Sequence, residues 1–356
     1  MNRLFWLDRR VLVTGHTGFK GSWLCSYLSF LGARVYGCAL PVPAGPSAYE
    51  TMGIAEVIEQ SFMGDILDSD FLDNVFAESQ PTVVFHLAAQ SLVRESYQRP
   101  VQTFMTNIIG SANVVTAALK AGMVKSIVNI TSDKCYANNE WFWPYRESDR
   151  LGGHDPYSAS KAAAEIVSES LRDSFCRHHG LGLATARAGN VIGGGDWSSD
   201  RLIPDMIRAH ESGRKLVLRC PESVRPWQHV LEPLTGYLIL AEKLNASPIE
   251  YSNGWNFGPN ETSHRSVRWV VEQVARQIDF DWEESSNLEQ PHEAKLLALD
   301  SSRAKNILGW APLWSIEQAV AQTVDWYQRL QGECNKMSEV TKNQIVDYVG
   351  AKFGAD

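Results

Sequence analysis

A strand, a glycine-rich turn and a helix follow one another without interruption from residue 10, and few folds accept that order. Arg10 to Thr14 is a β-branched run that meets glycine at Gly15. Apolar residues then return at helical spacing, with Leu24, Tyr27, Leu28 and Leu31 at i, i+3, i+4 and i+7. Gly32 follows as a C-cap, and Ala33 to Ala39 reads as a second strand. The whole is one βαβ unit. Its turn, Thr14-Gly15-His16-Thr17-Gly18-Phe19-Lys20-Gly21, spaces glycines as GxxGxxG. A chain that binds a pyrophosphate here must turn tightly, approach the phosphates without a Cβ and pack its helix close to its strand. The helix N-terminus then offers free N–H groups and the positive end of its dipole. Gly15, Thr17, Gly18, Phe19 and Gly21 are therefore the predicted core of a dinucleotide site.

The alternation continues. A short strand near Ser61 to Met63 precedes helix Asp68 to Glu78, and Val83 to Ala89 reads as a buried parallel strand before a long helical stretch ending near Ala121. Strand Ser126 to Thr131, helix Pro156 to Arg177 and strand Leu181 to Arg187 follow. Six strands alternating with helices predict an α/β fold, a doubly wound parallel sheet of the Rossmann type with right-handed crossovers. After Arg187 the regular period is lost in the glycine-rich GNVIGGGDW (189–197). The expected organisation is a dinucleotide-binding domain over 1–187, mainly a smaller substrate-facing lobe over 188–330 and a peripheral tail over 331–356, either a peripheral helix or a loose segment.

Composition narrows the class. With 33 basic and 41 acidic residues the net charge is −8, which argues against nucleic-acid binding. No apolar run approaches the ~18 residues of a membrane span, and the N-terminus carries no secretory signal. The six cysteines are scattered without CxxC spacing, so free thiols in a reducing cytoplasm are expected and no metal site is assigned. Twelve tryptophans fit core and interface packing better than ligand stacking.

Candidate chemistry sits at strand ends, where the cleft of such sheets lies. The fifth strand ends Ser132-Asp133-Lys134, which places a hydroxyl, a carboxylate and an amine in succession as candidate hydrogen-bond donor, general acid and general base. The bland alternative is a solvated Asp–Lys pair capping a loop. Tyr157 and Lys161 stand four apart on one helix face, 25 residues beyond Ser132. A tyrosine with its usual pKa near 10 is only about 0.1% ionised at neutral pH. A nearby ammonium and a nicotinamide cation could lower that pKa by ~3 units, about 4 kcal/mol. The fourth strand ends His86-Leu87-Ala88-Ala89-Gln90. Ala88 and Ala89 suit close approach of backbone to cofactor, whereas His86 reads as a satisfied core histidine. NAD is favoured over NADP because no arginine follows the second strand, although no acidic residue ends it either. Asp65 is open between the adenine amino group and a helix N-cap.

Taken together, TGxxGxxG, HLAAQ, Asn107 in TNIIG, TSDK and YSASK resemble the extended short-chain dehydrogenase/reductase family over residues ~8 to 330. Within it, ITSDKCY, DPYSxSK, RAGNVIGGGDW, RPWQHVLEPL and PHEA are similar to the CDP-glucose type of nucleotide-sugar 4,6-dehydratase. Most relatives have Asp-Glu where this chain has Asp133-Lys134, and the CDP-glucose type shares the lysine. The resemblance implies C4 oxidation of CDP-glucose with Tyr157 as base, Ser132 on the same oxygen and NAD as acceptor. Water is then lost across C5–C6, with Asp133 protonating the leaving hydroxyl. Lys134 is either the base for C5–H or a cation stabilising the enolate, the first being favoured because the motif offers no other acceptor. Hydride return to C6 closes the cycle. The resemblance also implies substrate contacts from Gln90, Asn107, Asn190, Arg201, Arg225, His292 and Glu293, a homodimer built on two long helices, and a place in dideoxysugar and O-antigen biosynthesis. The alternatives are a 4-epimerase or reductase of the same fold and a non-catalytic NAD-sensing module.

Overall fold

The computed structural model describes residues 1–42, 44–285, 296–332 and 336–354. Its centre is a seven-stranded parallel sheet. We number its strands β1 (Arg10–Thr14), β2 (Arg34–Ala39), β3 (Gln60–Met63), β4 (Val83–His86), β5 (Ser126–Ile130), β6 (Gly182–Arg187) and β7 (Gly254–Asn256). Their order across the sheet is 3-2-1-4-5-6-7. The direction of winding reverses between β1 and β4, so the cleft opens at the carboxyl ends of these two strands.

Side-chain alternation sends each strand into two cores. Val11, Val13, Val83, Phe85, Val128 and Ile130 face one side, with helices Phe19–Phe30 and Leu231–Ala246 packed over them. Leu12, Val84, Ile127 and Leu183 face the other, under helices Ser69–Ser79 and Gly110–Ala121. Burial on both faces explains why these strands read as continuous apolar runs.

The sheet holds one strand more than the six expected. β7 is only three residues, Gly-Trp-Asn, too short and too poor in β-branched residues to carry a strand period. It pairs in parallel with β6, and helix Leu231–Ala246 also returns to the sheet, so the sheet layer draws on chain well beyond 187. The rest of 188–330 forms short two-stranded ribbons, such as Val224–Pro226 with His264–Ser266. The segment expected over 331–356 as a peripheral helix or a loose tail is a helix, but it is not peripheral. Residues Met337–Phe353 form a helix whose Met337, Ile345 and Tyr348 are buried in the main core. Each such side chain contributes roughly 1.5–3 kcal/mol, so this helix helps hold the fold. Its apolar residues are too sparse to mark a clear face.

The long helical stretch before Ala121 is broken twice. Arg99 leaves the helical region before Pro100, and Met105–Ile109 form a π-turn. Cysteines 25, 38, 135 and 176 are buried free thiols, and among the described residues no helix is long and apolar enough to cross a membrane.

Candidate active site

The glycine turn is shaped by close approach. Gly15 has φ +74°, and a Cβ there would lie 2.7 Å from the backbone nitrogen of Ala88 at the end of β4. A Cβ on Gly21 would fall 2.2 Å from the Gly15 carbonyl oxygen, so the helix packs directly on the turn. Gly18 caps helix Phe19–Phe30 without a side chain, which leaves this N-terminus open to an anion. A cavity of about 490 Å³ begins here. Gly15, Thr17, Gly18, Phe19, Gly21, Asp65, Ala88 and Ala89 line one part of it, and Ser132, Tyr157 and Lys161 another. The residues of the glycine turn would hold the pyrophosphate of a dinucleotide, which would supply a hydride acceptor to the cavity. Asp65 accepts from Leu67 N at 2.9 Å, and the helix N-cap is Asp68, not Asp65.

Tyr157 and Lys161 enter from helix Pro156–Ser174, started by Asp155 as N-cap and Pro156 in the first turn. Burial pushes the Tyr157 phenol up to about 12, while a hydrogen bond with Ser132 and the charge of Arg201 work the other way. Burial pushes the Lys161 ammonium down to about 8, against the pull of Glu165. Its Nζ donates to the Ile130 carbonyl at 3.1 Å, which fixes it beneath the end of β5.

Asp133 begins a 3₁₀ turn, Asp133–Cys135, and is only 2% exposed. Ser132 Oγ donates to its Oδ1 at 3.0 Å. Its Oδ2 is buried and has no hydrogen-bond partner. A buried acceptor without a donor costs about 1–3 kcal/mol, and Asp133 meets the cavity through Ser132, since it is not itself one of the lining residues. Lys134 points elsewhere, into a second cavity of about 810 Å³. No ion pair joins it to Asp133 among the described residues, and the solvated Asp–Lys pair is not what forms.

The second cavity adjoins the first, and Ser91, Glu95 and Arg201 line both. Arg201 sits at the junction, held by Asp196 Oδ2 at 2.9 Å and Ser91 Oγ at 3.3 Å. Lys134 and arginines 94, 150, 201, 219 and 225 surround the second cavity, against Glu95, Asp155 and Asp200. Among the described residues, six cations to three carboxylates, in a chain of net charge −8, make a pocket suited to a dianionic diphosphate.

A profile of the family described as GDP-mannose 4,6 dehydratase matches residues 12–323. The CDP-glucose 4,6-dehydratase of Salmonella typhimurium is 45% identical, over 99% of both chains. The chain belongs to the nucleotide-sugar 4,6-dehydratase family. A dTDP-glucose 4,6-dehydratase of Xanthomonas campestris is 26% identical over 89% of this chain and 92% of its own. Among solved structures, a dTDP-glucose 4,6-dehydratase of Bacillus anthracis in complex with NAD superposes with a TM-score of 0.75 at 23% identity, covering 91% of this chain and 98% of its own. A UDP-glucose-4-epimerase of Stenotrophomonas maltophila reaches 0.78 at 22% identity, covering 91% and 99%. These structures establish the shared fold.

In this dehydratase-family chain most predicted site residues converge on the two cavities. Asn190, Arg201 and Arg225 line the second, Gln90 the first. Asn107 is corrected. It lies in the π-turn, accepts from Gln90 N at 2.8 Å and donates to the Gln90 carbonyl at 3.0 Å and to Ser160 Oγ at 2.8 Å. With every polar atom used inside the protein, it supports the β4 loop and lines neither cavity. The Gln90 side chain is likewise committed, to Leu92 and Thr103. His292 and Glu293 lie outside the described residues. His86 is the core histidine expected, with Nδ1 on Thr14 Oγ1 at 2.7 Å and Nε2 on Ser111 Oγ at 3.0 Å.

Three residues escaped sequence reasoning. Lys20 lines the first cavity from the second helical position, and burial together with Arg201 pushes it down to about 8. A cation at a helix N-terminus is unfavourable, and that misfit was the available signal. Glu165 stands one turn beyond Lys161, and Gly189 lies against Asp133. A Cβ on Gly189 would be 1.7 Å from Asp133 Oδ2. Gly189→Ala is accordingly expected to displace the carboxylate and cut kcat by about 100-fold or more, the scale of a lost general acid. Calorimetry should find nucleotide-sugar affinity little changed. Activity within about threefold of wild type would show that Asp133 does not need this position.

Proposed function

We propose that this protein is an NAD-dependent dehydratase that converts CDP-glucose to CDP-4-keto-6-deoxyglucose. The observation that carries the reading is Asp133, buried beside Ser132 with one carboxylate oxygen unpartnered. An epimerase or reductase needs no acid at this point, and an NAD-sensing module needs no Tyr157–Lys161 set. The 45% identity to a CDP-glucose 4,6-dehydratase supports the choice of substrate.

NAD held on the glycine turn would accept hydride from C4 and return it to C6. The chain's own residues do the rest. Tyr157 takes the 4-hydroxyl proton, helped by Lys161 and Arg201, and Ser132 hydrogen-bonds the same oxygen. Asp133 protonates the departing 6-hydroxyl, and Lys134 works at C5 from the adjoining cavity. Arg225 and Arg201 hold the diphosphate, with Asn190 beside them. Since hydride is taken and returned, net redox is zero and no external reductant is consumed.

Incubation with NAD and each of CDP-, UDP-, dTDP- and GDP-glucose tests this. The expected result is a product lighter by one water from CDP-glucose alone. An isomer of unchanged mass would identify an epimerase, and binding without turnover a sensor.

The reading includes a cytoplasmic homodimer. Val101, Met105 and Ile109 are exposed at four-residue spacing, and Tyr97 and Ile166 are exposed on the same two helical stretches. Exposed apolar groups arrayed in this way suit a protein interface. Light scattering should find a dimer, with Met105→Lys driving it to monomer. A monomeric wild type would overturn this part.

A further inference from the structure

Beneath the hydride site lies a buried carboxylate with no role so far. Glu165 is 4% exposed, on the same helix as Tyr157 and Lys161 and continuing their four-residue interval. Its Oε1 accepts from the Thr131 hydroxyl and from Arg187 Nε at 2.9 Å. Its Oε2 accepts from Thr185 Oγ1 at 2.5 Å and from Arg187 Nη2 at 2.8 Å. Thr131 immediately precedes Ser132, and Arg187 stands two residues before Gly189. One carboxylate thus ties the helix of the base to the carboxyl ends of β5 and β6.

That bonding exceeds what packing requires. A buried ion pair is often no better for stability than well-packed apolar residues. The charge has a second addressee in Lys161. The groups facing Lys161 are Tyr157 and Glu165 on its own helix, Cys135 after β5, His86 at the end of β4 and Lys20 on the first helix. Burial holds the Cys135 thiol well up and the His86 imidazole down at about 3, so both are neutral near pH 7. Lys20 opposes a second cation. Glu165 is the facing charge that favours one.

We propose that Glu165 is a positioning residue for hydride transfer, which keeps Lys161 an ammonium and, through Thr131 and Arg187, holds the strand ends carrying Ser132 and Gly189. The proposal rests on the dehydratase reading for its catalytic meaning, but its central claim concerns Lys161 in the protein without ligands. Arg187 follows as part of the device: its Nη1 donates to the Tyr136 hydroxyl at 2.7 Å, so its charge faces inward and not toward the substrate phosphates.

Competitive acetylation of the intact protein with acetic anhydride over a pH series, read by peptide mass spectrometry, titrates Lys161 directly. Loss of Glu165's charge should lower the Lys161 midpoint by about one unit or more in Glu165→Gln. Glu165→Asp, which keeps the charge, should restore it to within about half a unit. Thr185→Val removes a hydrogen bond and no charge, so it should lower thermal stability and leave the midpoint in place. In turnover assays the alkaline limb of kcat should fall at lower pH in Glu165→Gln, because Lys161 loses its proton sooner. If Glu165→Gln does not fold, the double variant Glu165→Gln/Arg187→Met removes both charges of the pair and should still lower the midpoint. An unmoved midpoint in a folded variant lacking the Glu165 charge overturns the proposal. Wild-type water loss in the same assay reports on the dehydratase reading separately.

Discussion

Tyr157→Phe is expected to give a folded protein that binds both ligands and turns over at least about 100-fold more slowly. The change removes one hydroxyl, whose partner in the protein is Ser132. The ring stays in its buried place, so the thermal midpoint should not move. The kinetic loss follows from the electrostatics. Burial, with the charges of Asp133 and Asp155, drives the phenol up to about 12 against Ser132 and Arg201, so the protein without its ligands keeps it protonated across the neutral range. Ionisation at the moment of hydride transfer depends on the cations converging on this end of the cleft, Lys161 and Arg201 among them. Phenylalanine cannot take the proton whatever those cations do. Retention of more than about a tenth of wild-type turnover would remove Tyr157 from the role of base.

Lys134→Met should separate the two halves of the reaction. Tyr157, Ser132 and Lys161 line the first cavity, whereas Lys134 lines the second. Oxidation at C4 should therefore proceed and NADH should build up, while water loss falls by about 10²–10⁴-fold. In heavy water, deuterium entry at C5 should collapse in parallel if Lys134 is the base. Lys134→Arg distinguishes the remaining role, since guanidinium keeps a cation but is not deprotonated in proteins. Recovery in the arginine variant would identify a cation stabilising the enolate, and continued failure a base. Water loss at near wild-type rate in Lys134→Met would exclude both.

Much of this was legible in the sequence because it is encoded over short distances. Short apolar runs mark β1, β2, β4, β5 and β6, helical spacing marks the segments between them, and their alternation determines a parallel doubly wound sheet. Glycines at 15, 18 and 21 follow from local backbone needs, and Tyr157 and Lys161 share a face because four residues make about one helical turn.

Tertiary structure alone decided the rest, because the deciding contacts join residues far apart in the chain. β7 is a strand only because β6 offers it an edge. The helix Met337–Phe353 is held by burial against the main core, and Tyr348 donates to Glu232 Oε2 at 2.5 Å across 116 residues. Asn107 carried a site motif, yet its π-turn aims it at Gln90 and Ser160 and away from both cavities. Glu165 reads in sequence as one more acidic residue on an amphipathic helix. It becomes the carboxylate beneath Lys161 only when β5 and β6 lie side by side and bring Thr131, Thr185 and Arg187 to it. Local sequence sets the periods and turns of the elements, while the electrostatics of a buried group depend on which distant neighbours replace the water it has lost.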